Sequence, residues 1–107
     1  MLDNNIFASI PQCLDQELVE ILLKNKDVCI ERIISKGHTS PDTGWYDQPK
    51  NEWVMVLKGE AVIAFQGEPE IRLAAGSYID IAAHKKHRVS WTDPDVETIW
   101  LAVHYPS

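Results

Sequence analysis

Trp45-Tyr46-Asp47-Gln48-Pro49-Lys50-Asn51-Glu52-Trp53-Val54-Met55-Val56-Leu57-Lys58-Gly59 is the stretch on which the fold of this chain turns. A cluster of polar and aromatic side chains runs into an apolar, β-branched strand, and a glycine ends it. Glu60 to Gln66 reads as the returning strand, and Gly67-Glu68-Pro69 as the next turn. Ile71 and Leu73 mark a short strand, and Ala75-Gly76 turns into Tyr78 to Ile81. The loop Ala82 to Lys86 then carries the chain to the strand His87 to Trp91. Asp93-Pro94-Asp95 turns once more into the most apolar strand, Glu97 to Tyr105. Upstream, Val28 to Ile34 is a further strand, and Gly37 to Gly44 is a loop. Short strands at regular spacing, joined by turn residues, predict an antiparallel sandwich or small barrel.

The first 27 residues read differently. Met1 to Leu14 has no period and reads as an irregular arm. Asp15 is placed to cap a helix, and Leu14, Leu18, Ile21 and Leu22 fall at helical spacing. A short helix from Asp15 to Lys24 is therefore expected, ending in Asn25-Lys26-Asp27. The expected organisation is a single domain: arm and helix over residues 1–27, packed on a β-barrel over residues 28–107.

Composition narrows the function. A chain of 107 residues holds one hydrophobic core. No apolar run approaches the roughly 20 residues of a bilayer-spanning helix. Asp3, Asn4 and Asn5 stand where a signal peptide needs basic and apolar segments, so a cytoplasmic protein is expected. Cys13 and Cys29 lack metal-type spacing and read as reduced thiols. The net charge is −6, and Lys85, Lys86 and Arg88 form the densest basic patch. That argues against a phosphate-tracking surface for nucleic acid.

The two strand-and-loop stretches resemble the cupin superfamily, small β-barrels of jelly-roll topology. Glu52 and Gly59 match the end of its first motif, a glutamate followed after six residues by glycine. Gly76 and His87 match the ends of its second motif, with Ala82 and His84 where proline and glycine are usual. The resemblance covers about residues 28–105. More narrowly, Ser40-Pro41, Trp45-Tyr46-Asp47-Gln48, Glu52-Trp53-Val54, His87-Arg88-Val89 and Trp100-Leu101-Ala102-Val103 look like a group of small bacterial single-domain cupins. Metal-binding cupins place a His-x-His pair four or five residues before the glutamate. Here those positions are Trp45 and Asp47, or Tyr46 and Gln48, and neither pair supplies a histidine. The resemblance then implies a divalent metal (Zn, Fe, Mn or Ni) held by Glu52 and His87 with Gln48 or Asp47.

The residues themselves give each candidate two readings. His87 opens a strand and, with Val89 and Trp91 on its face, points into the barrel if that face is inward. It is then a ligand or an acid–base group; otherwise it is a histidine satisfied by a neighbour. Glu52 shares a face with Val54 and Val56, where a carboxylate needs a partner. Its bland alternative is a strand-end side chain facing water or Lys50. An even offset from Glu52 favours Gln48 over Asp47, whereas Asp47 is the better metal ligand and also suits a turn before proline. Tyr46 and Trp91 can line a pocket; Trp53 and Trp100 read as core or interface. His104 is either a core or a pocket histidine, and His38 reaches the site only if its loop folds to the mouth. His84 reads as solvated, and Glu17, Glu31 and the remaining carboxylates as helix end or surface. Three functions compete: metal-dependent small-molecule chemistry, metal-free binding of a small ligand, and a structural homodimer built on indole-rich faces.

Overall fold

The computed structural model describes residues 4–107; Met1 to Asp3 of the expected arm lie outside them. Eight strands follow one another: β1 (Leu18–Asn25), β2 (Val28–Ser35), β3 (Asn51–Lys58), β4 (Glu60–Phe65), β5 (Ile71–Ala74), β6 (Tyr78–Ile81), β7 (His87–Thr92) and β8 (Thr98–Tyr105). They form an antiparallel five-stranded sheet, ordered β1-β2-β8-β3-β6, and a three-stranded sheet, ordered β5-β4-β7. The core between the sheets is built from Val54, Val56, Ala61, Ile63, Phe65, Leu73, Ile81, Trp100 and Ala102. At the β3–β4 turn Gly59 has φ +86°, where a Cβ would stand 2.6 Å from Thr98 Oγ1 and 2.7 Å from the Glu97 carbonyl. Only glycine fits that turn.

The helix expected from Asp15 to Lys24 is a strand instead. β1 pairs with β2 from Leu18↔Ile34 to Asn25↔Val28, so Lys26-Asp27 is a two-residue hairpin turn, not the end of a helix. The register slips between Ile21 and Leu23, leaving Leu22 as an extra residue. The leucine-rich run carries helix propensity, but the open edge of β2 offers a full ladder of backbone partners, and tertiary pairing overrides propensity. The apolar spacing did not mark a core face either: Ile21 and Leu22 stay exposed.

One charged side chain ties the arm to the barrel. Arg32 on β2 is 5% exposed. Its Nε donates to Glu20 Oε1 at 2.7 Å, and Nη2 reaches the same oxygen. Nη1 donates to the carbonyls of Ile6 (3.2 Å) and Ala8 (2.6 Å). A buried guanidinium needs this many acceptors, and here they come from a neighbouring strand and the arm.

Candidate functional site

A cavity of about 290 Å³ opens between the sheets. Glu52, second residue of β3, stands opposite His104 on β8 in the register. His87, first residue of β7, reaches the same space from the smaller sheet. Tyr46 pairs with it through two backbone hydrogen bonds, Tyr46 N to His87 O (2.8 Å) and His87 N to Tyr46 O (3.2 Å). That bridge extends the small sheet by one segment and delivers Gln48 to the cavity beside Glu52 and His87.

The contacts fix the roles. His87 Nδ1 donates to the Lys85 carbonyl at 2.8 Å, which leaves Nε2 facing the cavity. Gln48 Nε2 donates to Glu52 Oε1 at 2.9 Å and lies 3.4 Å from His87 Nε2. Glu52 Oε1 is 3.7 Å from His87 Nε2, too long for a direct hydrogen bond but close for an ion pair. His104 Nε2 donates to Glu31 Oε1 at 2.9 Å and is 3.9 Å from Glu52 Oε2. Glu52 and His87 therefore approach one another inside a single hollow, from strands of different sheets.

Burial alone would push the Glu52 carboxyl up, but hydrogen bonding and the charges of His87 and His104 outweigh it and hold the group below its ordinary range. Burial likewise pushes His87 down, yet the Glu52 carboxylate and the Lys85 carbonyl raise it overall. At 3.7 Å the influence of Glu52 on His87 is mainly that of charge. Glu17, just before β1, is pushed up by burial, against the opposing influence of His38 and Ser35.

Not every candidate reaches this place. Tyr46 lines the cavity at its rim, half exposed, with its ring 5.9 Å from that of His87. Asp47 does not line it: its Oδ1 pairs with His84 Nδ1 at 2.7 Å, outside, while the His84 amide donates to the Gln48 carbonyl at 2.7 Å. His84 is thus an anchor for the 47–48 segment, held at φ 63°, and not merely solvated. Trp91 also lies outside. The pairing of β4 with β7 shifts between Val62↔Trp91 and Ile63↔Val89. This bulge breaks the alternation, so Val89 lines the cavity while Trp91 stacks under Arg72, 5.1 Å from its ring. His38 is absent from the lining; its Nδ1 accepts from the Lys36 amide and its carbonyl accepts from Thr92.

Several lining residues lie where the sequence does not point, Glu31, Glu17 and Trp100 among them. Glu31, taken for surface, shares the inward face of β2 with Ile33. That two-residue spacing was the available signal. Glu17, taken for the first turn of a helix, lines the cavity because that helix does not exist. Trp100, expected as core or interface, is both core and wall, and its buried indole nitrogen has no hydrogen-bond partner.

A divalent metal does not fit this donor set. Among the described residues no group of three or more His, Cys, Asp or Glu side chains is placed to hold one. The Gln48 amide nitrogen, a donor, is set 2.9 Å from Glu52 Oε1 and 3.4 Å from His87 Nε2, and His104 is committed to Glu31.

The cupin domain family matches residues 32–104, and the chain belongs to that family. Over its full length it is 42% identical to a proposed mannose-6-phosphate isomerase from Ralstonia eutropha JMP134, with a TM-score of 0.95 and 100% of both chains covered. A cupin superfamily protein from Desulfitobacterium hafniense DCB-2 is 21% identical (TM-score 0.75; 92% of this chain and 84% of that one). An RmlC-like cupin from Methanocaldococcus jannaschii, with a double-stranded β-helix fold, is 16% identical (TM-score 0.71; 92% and 87%). The last two likenesses concern the fold alone. No curated protein sequence matches the chain.

Proposed function

We propose that this chain is a small-molecule-binding cupin whose cavity presents a metal-free acid–base pair, His87 and Glu52, oriented by Gln48. The observation that carries this reading is the Gln48 amide, whose donor nitrogen contacts both members of the pair. An amide N–H there satisfies the carboxylate without a cation. Glu52, kept ionised, is the proton acceptor; His87, its Nδ1 held by the Lys85 carbonyl, presents Nε2 as donor or acceptor to the same ligand. At about 290 Å³ the cavity lies at the small end of ligand sites, suiting a metabolite and not a polymer.

The test combines elemental analysis of protein purified without chelator and thermal shifts against a library of small polar metabolites. The expected outcome is substoichiometric metal and at least one ligand whose shift of a few degrees is lost in both Glu52→Gln and His87→Ala. Stoichiometric metal that disappears in His87→Ala sinks the metal-free reading. A second reading, aldose–ketose isomerisation, is favoured by the relative at 42% identity. It requires proton transfer between adjacent carbons, a task this reading gives to His87 and Glu52. Conversion of mannose 6-phosphate, assayed with and without added divalent metal, tests it directly.

A further inference from the structure

Resting on the binding reading above, we infer that the cavity takes an uncharged or amine-bearing polyhydroxylated molecule and discriminates against its phosphate ester. The charge of the wall carries this. Glu17, Glu31 and Glu52 line the cavity; among the described residues the basic side chains there are His87 and His104, with no lysine or arginine. With all three carboxyls ionised, two imidazolium ions still leave the wall negative. With Glu17 protonated it becomes at most neutral, and in no state expected at neutral pH is it positive.

The nearby cations are committed elsewhere. Lys85 pairs with Glu68 at 3.3 Å and lies 4.4 Å from the Phe65 ring. Arg88 stacks on Trp45 at 4.4 Å and donates to the Asp42 carbonyl. Arg32 is buried against Glu20 and the arm. A phosphate dianion is held by bidentate guanidinium, by lysine, or by the amides of a helix N-terminus. None of these faces the cavity, and the described residues contain no helix. A dianion entering would lose its hydration beside carboxylates, an uncompensated cost.

Hydroxyl groups meet the opposite situation. Carboxylates accept from them, and Tyr46 supplies a hydroxyl of its own. Gln48 adds an amide that can donate or accept beside them. Ile33, Val54 and Val89 offer apolar surface to the C–H face of such a ligand.

The experiment is isothermal titration of the intact chain with three matched sets: mannose, glucose and ribose; mannosamine and glucosamine; and mannose 6-phosphate, glucose 6-phosphate and ribose 5-phosphate. At least one neutral or amine member binds, its phosphate ester binds ten-fold or more weakly, and binding is lost in Glu52→Gln. An ester that binds as tightly as its parent sugar, and loses that binding in Glu52→Gln, overturns the inference while upholding a ligand cavity. Silence of the whole panel also overturns it, and the wider metabolite library then decides the binding reading separately.

Discussion

At the scale of single residues, the site is a contest between burial and charge. Burial pushes His87 down, and Glu52 is what reverses that. Replacing Glu52 by Gln keeps the shape and removes the charge, so the direction of the shift inverts. Histidine ring signals followed by NMR through a pH titration place His87 above its ordinary 6.5 in the native chain and below it in Glu52→Gln. A midpoint unmoved by the substitution removes Glu52 as the cause. Linkage gives this a counterpart in stability. The contribution of His87 is complete below pH 6.5 and is lost as pH rises through its raised folded value. That of Glu52 is present above 4.5 and is lost as pH falls through its lowered folded value. Glu17 runs the other way. Its carboxyl is raised by burial, so ionisation weakens the fold as pH climbs from 4.5 through the raised value. Because much of the Glu17 side chain still faces solvent, screening keeps the effect small: Glu17→Gln is expected to raise the melting temperature slightly at pH 7 and to leave it unchanged near pH 4, and equal shifts at both values would mean that ionisation is not the source.

At the scale of elements, what was legible in the sequence depended on whether local and long-range signals agreed. From Val28 onward they did: turn glycines and β-branched runs placed β2 to β8, because each strand is short and its breakers are local. Glu52 and His87 were legible because each sits at a strand end, next to a recognisable turn. Two events at a distance were not legible. The edge of β2 recruits residues 18–25 as a strand despite their helical spacing, which brought Glu17 into the cavity unseen. The bulge at Ser90 turns Trp91 outward, and nothing in the alternation of His87, Val89 and Trp91 announces it. The β1–β2 hairpin also gives a prediction of its own. Arg32→Met deletes the donor to the Ile6 and Ala8 carbonyls and to Glu20, whose side chain is 39% exposed and can turn to water. The cost should therefore stay near the ~1–3 kcal/mol of unsatisfied hydrogen-bonding groups, below that of stranding a fully buried charge. It should appear as a melting temperature lower by roughly 4–24 °C, at about 4–8 °C per kcal/mol for a domain of this size. Limited proteolysis should also cut the arm near Ile6–Ala8 sooner. A variant that melts earlier with its arm still protected would show that Arg32 acts only within the sheet.

At the scale of the whole molecule, the question is what covers β1. It is the outer strand of the five-stranded sheet, with one side of its backbone unpaired. Val19, Ile21, Leu22 and Leu23 along it are each at least 50% exposed. The bulge at Leu22 and the charges of Glu20 and Lys24 blunt this edge in part, but it carries no proline, and its exposed apolar side chains stay open to pairing with another chain. The indole faces expected to serve a homodimer do not form one surface. Trp45 lies under Arg88, Trp91 under Arg72, Trp53 beside Tyr78, and Trp100 is internal. A second copy meeting β1 about a two-fold axis would bury the same side chains on both subunits and complete both edges at once, which is the economy of an isologous contact. The expected outcome is a dimer by size-exclusion chromatography with light scattering. The double substitution Val19→Lys and Ile21→Lys should give a folded monomer, because both side chains point away from the core. Its circular dichroism should match that of the native chain, and its ligand binding should persist, since neither residue lines the cavity. A native chain that runs as a monomer, or a double variant that remains dimeric, places the contact elsewhere or removes it.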